Sequence, residues 1–494
     1  MKKKFLTNLI LLLSLNLLIK PFWILGIDRA VQNIVGAESY GFYYAIFNFS
    51  FLFNILLDMG LTNFNNRNIA QNHHLLNKYF SGILVIKILL SVAYAITTIS
   101  IGFIIGYNAE QMQLLYIMAF NQMLISFVLY LRSNITGLHL FKTDSIISVL
   151  DRFLMIVFCS ILIWGNISSI QFNIKWFVYA QTVAYFITAI IAFVVVVRKA
   201  KFSKLYWNRK FILVVFRQSM PFAVLVLLMS FYNRIDSVMI ERILPTGIGA
   251  YQSGTYASAY RLLDAANMIA YLFSVLLLPI FAKMIKQKEH VGEIVKLSIV
   301  LLVIPAFIVA VSCFAYRHEI MTLLYPIHSL ESISEYMLRI HQSATIFGML
   351  MICFTAISTT YIFGSLLTAN GNLKQLNIVA SSGMVLNIGL NLYLIPRFMA
   401  VGSAWASVIT QFITAGLQMY LAMKIFKFNF NVRYLWQFLA FFALSILTII
   451  LIRTFISNWL IGLALFVVLE MLYAIVLRIL KFKEMIKILQ TEEL

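Results

Sequence analysis

Six basic residues lie inside long apolar stretches of the sequence, at positions that suit the binding of an anion. They are Lys20, Lys87, Arg152, Arg217, Arg234 and Arg261. A charged side chain in apolar surroundings is costly unless it pairs with another charge or faces a water-filled cavity, so each is a candidate functional residue. Ammonium and guanidinium groups bind phosphate oxygens, guanidinium through paired hydrogen bonds. Three of these residues lie nearer one end of their stretches: Lys87, Arg152 and Arg217. The alternative interpretation for them is that the long side chain extends to the membrane surface.

Acidic residues share these stretches, and we interpret the four aspartates as ion-pair partners or as carriers of a coupling ion. The acids are Asp58, Asp151, Asp236, Asp264 and Glu470, of which Glu470 has no assigned role. Arg261 and Asp264 are three residues apart and share a helical face, which Asn267 and Tyr271 continue. Asp151 and Arg152 are adjacent, about 100° apart on a helix, which predicts different partners. A structural ion-pair network and the lining of an aqueous vestibule both fit this pattern.

The stretches that carry these charges indicate a membrane protein with many spans. Of the 494 residues, 62% are hydrophobic and only 11% are charged, with mean hydropathy +0.91. These values exclude an ordinary soluble protein. About fourteen stretches are long enough to cross a bilayer. The seventh (Phe211 to Ile243) and eighth (Thr255 to Phe281) are overlong and form a predicted hairpin with its tip near Gly249.

The distribution of basic residues predicts the orientation. With a cytoplasmic N-terminus, 25 Lys and Arg fall on the inside and 7 on the outside. The excess of basic residues in cytoplasmic loops predicts that both termini are cytoplasmic. It also accounts for most of the net charge of +20, so nucleic acid is not a predicted partner.

A basic segment from Arg198 to Lys210 divides the chain after the sixth span, and a weak sequence repeat flanks it. Residues 27–45 and 235–257 both read Ile-Asp, a short apolar run, a turn with glycine, then Gly-x-Tyr. Two parallel repeats of six helices are typical of transporters with a central site. The predicted domains are residues 1–197 (first lobe), 198–210 (linker), 211–425 (second lobe), 426–478 (a terminal helix pair) and 479–494 (a cytoplasmic tail).

Signatures of enzymes, metal sites and disulfides are not found in the sequence. His318-Glu319 begins an HExxH pattern, but Thr322 stands where the second histidine belongs. The three cysteines lie far apart, without a second Cys or His at ligand spacing. We therefore predict a protein that is not an enzyme and has neither a metal site nor a cofactor, apart from H⁺ or Na⁺ as a coupling ion.

Several stretches resemble the Wzx-type polysaccharide or O-antigen flippases of the multidrug/oligosaccharidyl-lipid/polysaccharide (MOP) exporter superfamily. They are LGIDRAVQNIVGAESYGFYYA, LLDMGLTNFNNRNIA, ISVLDRFLMI, RQSMPFAVLVLLMSFYNRIDSVMI, GTYASAYRLLDAAN, LLTANGN, LNIGLNLYLIPRF and VGSAWASVIT. The resemblance implies an all-α, MATE-like fold of about fourteen transmembrane helices, two lobes of six plus a terminal pair, in the bacterial inner membrane. It also implies alternating access that moves an undecaprenyl-pyrophosphate-linked oligosaccharide to the outer leaflet.

This resemblance gives the buried cations a role. They would neutralise the pyrophosphate, and Arg29 joins them because it matches an arginine that related lipid-linked peptidoglycan flippases carry at the end of the first helix. Besides this substrate and membrane lipids, a polysaccharide polymerase and chain-length machinery are the implied partners. Two alternatives are a multidrug cation antiporter of the same superfamily, in which acids should dominate the cavity, and a polysaccharide polymerase, which should carry a large outside loop.

Overall fold

The computed structural model describes residues 14–62, 65–66, 69, 75–165, 172–199, 209–328, 331–428, 432–477 and 479. Within these ranges every regular element is helical, which confirms the all-α fold class. The apolar composition explains this, because helices satisfy all their backbone hydrogen bonds within one segment and so can cross a bilayer.

Eight helices in the first part of the chain have their bounds among the described residues. They are α1 (14–22), α2 (Arg29–Leu52), α3 (Leu75–Ile104), α4 (Ala109–Gly137), α5 (Phe141–Trp164), α6 (Ile174–Val197), α7 (Arg209–Ile243) and α8 (Ile248–Lys286). A π-helical turn, Trp23–Asp28, joins α1 to α2, and a 3₁₀ turn, Asn54–Leu57, follows α2. Helix α2 is broken at Gly36, whose φ of 78° is accessible to glycine at little cost.

The remainder of the chain forms seven further helices. They are α9 (Gly292–Ser298), α10 (Ile304–Ala315), α11 (Arg317–Leu324), α12 (Ile333–Ala369), α13 (Leu373–Phe426), α14 (Val432–Phe455) and α15 (Trp459–Val476). A π-helical segment, Ile299–Val303, connects α9 to α10. Helix α13 is broken at Met399, three residues after Pro396, where the prediction separates the eleventh and twelfth spans.

Eleven helices in the described ranges are long and apolar enough to cross a membrane. The chain is therefore a multi-pass membrane protein. Three of these helices, α8, α12 and α13, are much longer than one span requires, at 39, 37 and 54 residues. The count of fourteen spans stays a prediction.

The chain forms two compact units. Unit 1 comprises Met1–Ser258 with Met384–Ser403, and unit 2 comprises Ala259–Gly383 with Ala404–Leu494. In unit 1, Phe80, Tyr130 and Ile147 pack in a core between α3, α4, α5 and α6. In unit 2, Phe441 and Phe466 are fully buried between α14, α15 and α10. These units do not follow the predicted lobes, whose boundaries remain a prediction.

Within unit 1, two glycines allow α2 and the start of α8 to meet backbone to backbone. A Cβ on Gly41 would overlap the carbonyl oxygen of Ala250, and a Cβ on Gly254 would overlap that of Ala37. Such close contacts between small residues are a common way to pack helices in membranes. The crossing fixes the spacing of the two helices whose neighbouring segments carry Asp28 and Asp236.

Candidate functional site

A π-helical turn in the first span positions the first two predicted cations. Pro21 lacks a backbone N–H, and the π-helical turn Trp23–Asp28 begins two residues later. It places Lys20 before the turn and Arg29 after it. The ring of Trp23 is buried and stacks on Phe177 of α6, with centroids 5.8 Å apart and planes within 4°. Short π-helical segments within α-helices are frequent at functional sites.

Arg152 of α5 lies beside this turn. Its guanidinium lies over the rings of Trp23 and Tyr185, at 5.7 and 5.8 Å from their centroids. Its Nε is 3.7 Å from Oδ2 of Asp151, so the expectation that these neighbours have different partners is wrong for this contact. The side chains can rotate towards each other although their Cα–Cβ bonds diverge.

Lys20 completes a cationic group in unit 1, which we call the N-site: Lys20, Arg29, Arg152 and Asp151. The Lys20 ammonium lies within electrostatic range of Arg152 and Asp151. Arg29 adds a guanidinium whose buried Nε has no hydrogen-bond partner among the described residues. A buried donor without a partner is unusual in a folded protein and is available to an oxyanion. The N-site as defined holds three cations and one acid, and Asp28, the neighbour of Arg29, is a second acid beside it.

Asp28, at the end of the π turn, is a buried acid that sequence reasoning missed. It is fully buried and accepts a hydrogen bond from the Tyr40 hydroxyl, 2.9 Å from each carboxylate oxygen. Gln32 donates a further bond at 3.4 Å. The Ile-Asp step of the sequence repeat was the signal that could have identified it.

Lys87 and Asp58 form a buried ion pair in unit 1. The Lys87 ammonium is 2.5 Å from Asp58 and 3.0 Å from both the Leu57 carbonyl and Ser126 Oγ. Lys87 is only 3% exposed, so it does not extend to the surface. Asp58 also accepts a hydrogen bond from the backbone N–H of Thr62 at 3.2 Å. The pair joins α3 to the end of the second span.

Asp236 of α7 is also buried in unit 1, among neutral donors. Tyr256 and Asn391 donate to it at 2.7 Å, and Asn387 donates at 3.2 Å. The two asparagines, four residues apart in LNIGLNLYLI, were not identified from the sequence. Arg234 lies two residues before Asp236, with its guanidinium 5.6 Å from the ring centroid of Phe51.

In unit 2, Arg261 and Asp264 form the expected contact on one face of α8. Arg261 Nη1 is 3.7 Å from Asp264 Oδ2, and the side chains are 12% and 15% exposed. Arg234 and Asp236, the charges on the other arm of the predicted hairpin, belong to unit 1. The side chain of Arg217 lies outside the described residues.

Among the described residues, no group of three or more His, Cys, Asp or Glu side chains could hold a metal ion. Cys159, Cys313 and Cys353 are free thiols. The chemistry that these sites offer is charge recognition: cations in the N-site and carboxylates bound by neutral or cationic donors elsewhere.

The sequence of this chain matches a family described as polysaccharide biosynthesis protein, over residues 5–285. The chain belongs to this family. The match covers more than half of its 494 residues and includes the whole N-site, the Lys87–Asp58 pair and Arg234, Asp236, Arg261 and Asp264. A comparison with curated proteins finds no match.

Solved structures confirm the fold of this polysaccharide biosynthesis family member. The inward closed conformation of the lipid II flippase MurJ matches with a TM-score of 0.71 and 14% identity, covering 92% of this chain and 97% of that one. An inward-facing multidrug resistance MATE family transporter matches with a TM-score of 0.60 and 14% identity, covering 85% of this chain and 98% of that one. A MOP superfamily transporter from Pyrococcus furiosus matches with a TM-score of 0.55 and 12% identity, covering 85% of this chain and 94% of that one. The expected likeness in fold to members of the MOP superfamily and the MATE-like fold class are thereby confirmed.

Proposed function

We propose that this protein is a flippase that moves undecaprenyl-pyrophosphate-linked oligosaccharide from the cytoplasmic to the outer leaflet of a bacterial inner membrane. Family membership supports polysaccharide biosynthesis as the process. The likeness to a lipid II flippase supports a lipid-linked substrate, because that protein shares the fold over nearly its full length. Alternating access between the two predicted lobes is the proposed mechanism.

The observation that carries the proposal is the excess of cations in the N-site. Three partly buried cations exceed the two acids beside them, Asp151 and Asp28, and an anion would balance the remaining positive charge. A pyrophosphate carries negative charge through the membrane, and a guanidinium can bind its oxygens with paired hydrogen bonds. The buried Arg29 Nε, which has no partner, supplies one such donor.

The test is complementation of a strain that lacks the gene. We expect complete lipid-linked units to accumulate on the cytoplasmic leaflet, measured by their accessibility to a membrane-impermeant oxidant in vesicles of each orientation. Wild type should restore transport, whereas Arg152→Gln and Lys20→Gln should lower it at least about tenfold, because each loses a charge-assisted hydrogen bond. Lys175→Gln is the control, because that side chain is 55% exposed in a surface ion pair. Equal transport by all three variants would contradict the proposal.

A multidrug cation antiporter is the second candidate. The likeness to a multidrug resistance MATE family transporter favours it, as do the buried carboxylates of Asp28 and Asp236. An antiporter predicts that deleting the gene leaves the lipid-linked glycan unchanged and raises sensitivity to cationic drugs. The same strain therefore separates the two functions. A polymerase would instead leave single units unpolymerised on the outer face.

The acids Asp58, Asp151, Asp236 and Asp264 are proposed to hold the buried cations or to bind the coupling ion. Asp236 is the best placed for an ion, because its carboxylate is buried and bonded to a phenol and two amides. Cytoplasmic termini and the partnership with a polymerase and chain-length machinery are also part of the proposal.

A further inference from the structure

Helix α8 continues the Arg261–Asp264 contact as a polar stripe through unit 2. Its members are Arg261, Asp264, Asn267, Tyr271 and Ser274, which recur at intervals of three or four residues and so share one side of the helix. We call this set the α8 stripe. The Arg261–Asp264 ion pair at its start is poorly suited to lipid, which indicates that this side of α8 faces protein or water.

A second helix of the same unit extends the stripe into a seam. The ring of Tyr271 meets that of Tyr361 on α12 edge to face, with centroids 6.3 Å apart and planes at 68°. One turn further along both helices, Ser274 Oγ and Ser365 Oγ are hydrogen-bonded at 2.8 Å. We call these four residues the tyrosine–serine seam.

The seam still offers groups to a ligand. Tyr271 is 55% exposed although it takes part in the ring contact. The Oδ1 atom of Asn267, one turn before it, is buried and has no hydrogen-bond partner in the part of the chain that the structure describes. Exposed tyrosines in membrane proteins usually lie at the membrane surface. Tyr271 lies ten residues before Phe281, the end of the predicted apolar stretch, or roughly 15 Å at 1.5 Å per residue, which places it near the middle of the span rather than at its surface.

The chemistry of the seam differs from that of the N-site. It consists of aromatic faces, hydroxyl groups and an amide oxygen, without a charged group among them. A sugar presents C–H groups on its ring faces and hydroxyls at its edges. Aromatic side chains pack against the faces, while hydroxyls and amides exchange hydrogen bonds with the edges. A pyrophosphate would find no cation in the seam itself.

We propose that the tyrosine–serine seam, together with Asn267, binds the saccharide part of the transported lipid. This proposal rests on the proposed flippase function and assigns the glycan and the pyrophosphate to different residues. The N-site recognises the charged group common to all such lipids, whereas the seam recognises sugar rings. It follows that changes in the seam should matter more as the glycan grows longer.

The test compares two substrates in vesicles that contain the purified full-length protein. One is the complete lipid-linked oligosaccharide extracted from the host, and the other is the same lipid trimmed to its first sugar. Tyr271→Ala should lower the initial rate of flipping of the complete lipid about threefold to tenfold, the usual worth of an aromatic contact. For the trimmed lipid, which lacks the sugars that would contact the ring, Tyr271→Ala should change the initial rate of flipping by less than about twofold. Tyr271→Phe, which keeps the ring, should retain most of the activity with both.

Tyr420→Ala is the matched control, because Tyr420 lies on α13 in unit 2 and is 56% exposed. If Tyr271→Ala behaves like Tyr420→Ala with both lipids while Arg152→Gln abolishes transport, the seam does not bind the glycan and the flippase function stands. An equal loss with both lipids would show that Tyr271 is only structural, and would also overturn the proposal. If wild type flips neither lipid, both proposals fall.

Discussion

Replacing Lys87 with methionine should destabilise the protein, because it removes the one cation of a buried pair. The ammonium donates to Asp58, to the Leu57 carbonyl and to Ser126 Oγ. Breaking a buried ion pair from one side costs about 3–5 kcal/mol when the other charge is left alone. Here Asp58 is 27% exposed and keeps the Thr62 N–H. We therefore expect a loss of about 2–3 kcal/mol, below that full range.

The assay is denaturant unfolding of the purified protein in detergent micelles, read as the change in the free energy of unfolding. Lys175→Met is the control, because its ion pair with Glu110 spans 3.7 Å and the two side chains are 55% and 63% exposed. Exposed pairs contribute little, so this variant should stay within about 0.5 kcal/mol of wild type. Equal stability of Lys87→Met and Lys175→Met would refute the reasoning.

A double-mutant cycle separates the pair from its surroundings. Asp58→Asn keeps the shape of the side chain but leaves the Lys87 ammonium, 3% exposed, with neutral acceptors only. Asp58→Asn should lower the free energy of unfolding by about 2–3 kcal/mol. The double variant Lys87→Met, Asp58→Asn should lose about 1–2 kcal/mol less than the sum of the losses in the two single variants. Additive losses would mean that the two side chains act independently.

Two further perturbations test the packing and the ion pairs. Gly41→Ala places a Cβ against the Ala250 carbonyl oxygen and should lower the yield of folded protein and its thermal midpoint, whereas Gly389→Ala, with open space around it, should not. Partial burial disfavours the charged form of Glu331, but the hydrogen bonds and charge of Arg339 outweigh it and hold the pKa of Glu331 below its usual value. The Glu331–Arg339 pair therefore contributes fully to the free energy of unfolding above the ordinary pKa of a glutamate, about 4.3. This contribution is lost as the pH falls through the lowered pKa of Glu331 in the folded protein. Arg339→Gln should lower the thermal midpoint at pH 7, with a gap to wild type that narrows below about pH 4; a constant gap would contradict this assignment.

Hydropathy predicted the helices well because the bilayer fixes their length and composition. The overlong seventh stretch, Phe211 to Ile243, is α7 with bounds Arg209–Ile243, and the eighth extends further at both ends, to Ile248–Lys286. The ends of α8 are amphipathic rather than apolar, with Lys283 and Lys286 in its last turn. A hydropathy window therefore stops short of them.

Pairing between side chains was harder to predict than the helices. The spacing of Arg261 and Asp264 revealed their contact because both lie on one helix. Lys87 and Asp58 meet across a distance of 29 residues, which no local period encodes. Asp28 escaped notice because it lies at the boundary of a span, where an acid is unremarkable, and only the π turn places it in the interior.

The sequence repeat now has a physical explanation. In each copy a glycine with positive φ makes the turn, Gly36 at 78° and Gly247 at 86°. In each copy the aspartate of Ile-Asp is buried and accepts a hydrogen bond from a tyrosine of the following helix: Asp28 from Tyr40, and Asp236 from Tyr256. The glycines of the two Gly-x-Tyr steps, Gly41 and Gly254, lie at the crossing of these helices, where a side chain on either would overlap the other helix's backbone. A turn, a buried acid and a close crossing thus recur together, which explains why residues 27–45 and 235–257 resemble each other although most of their apolar residues differ.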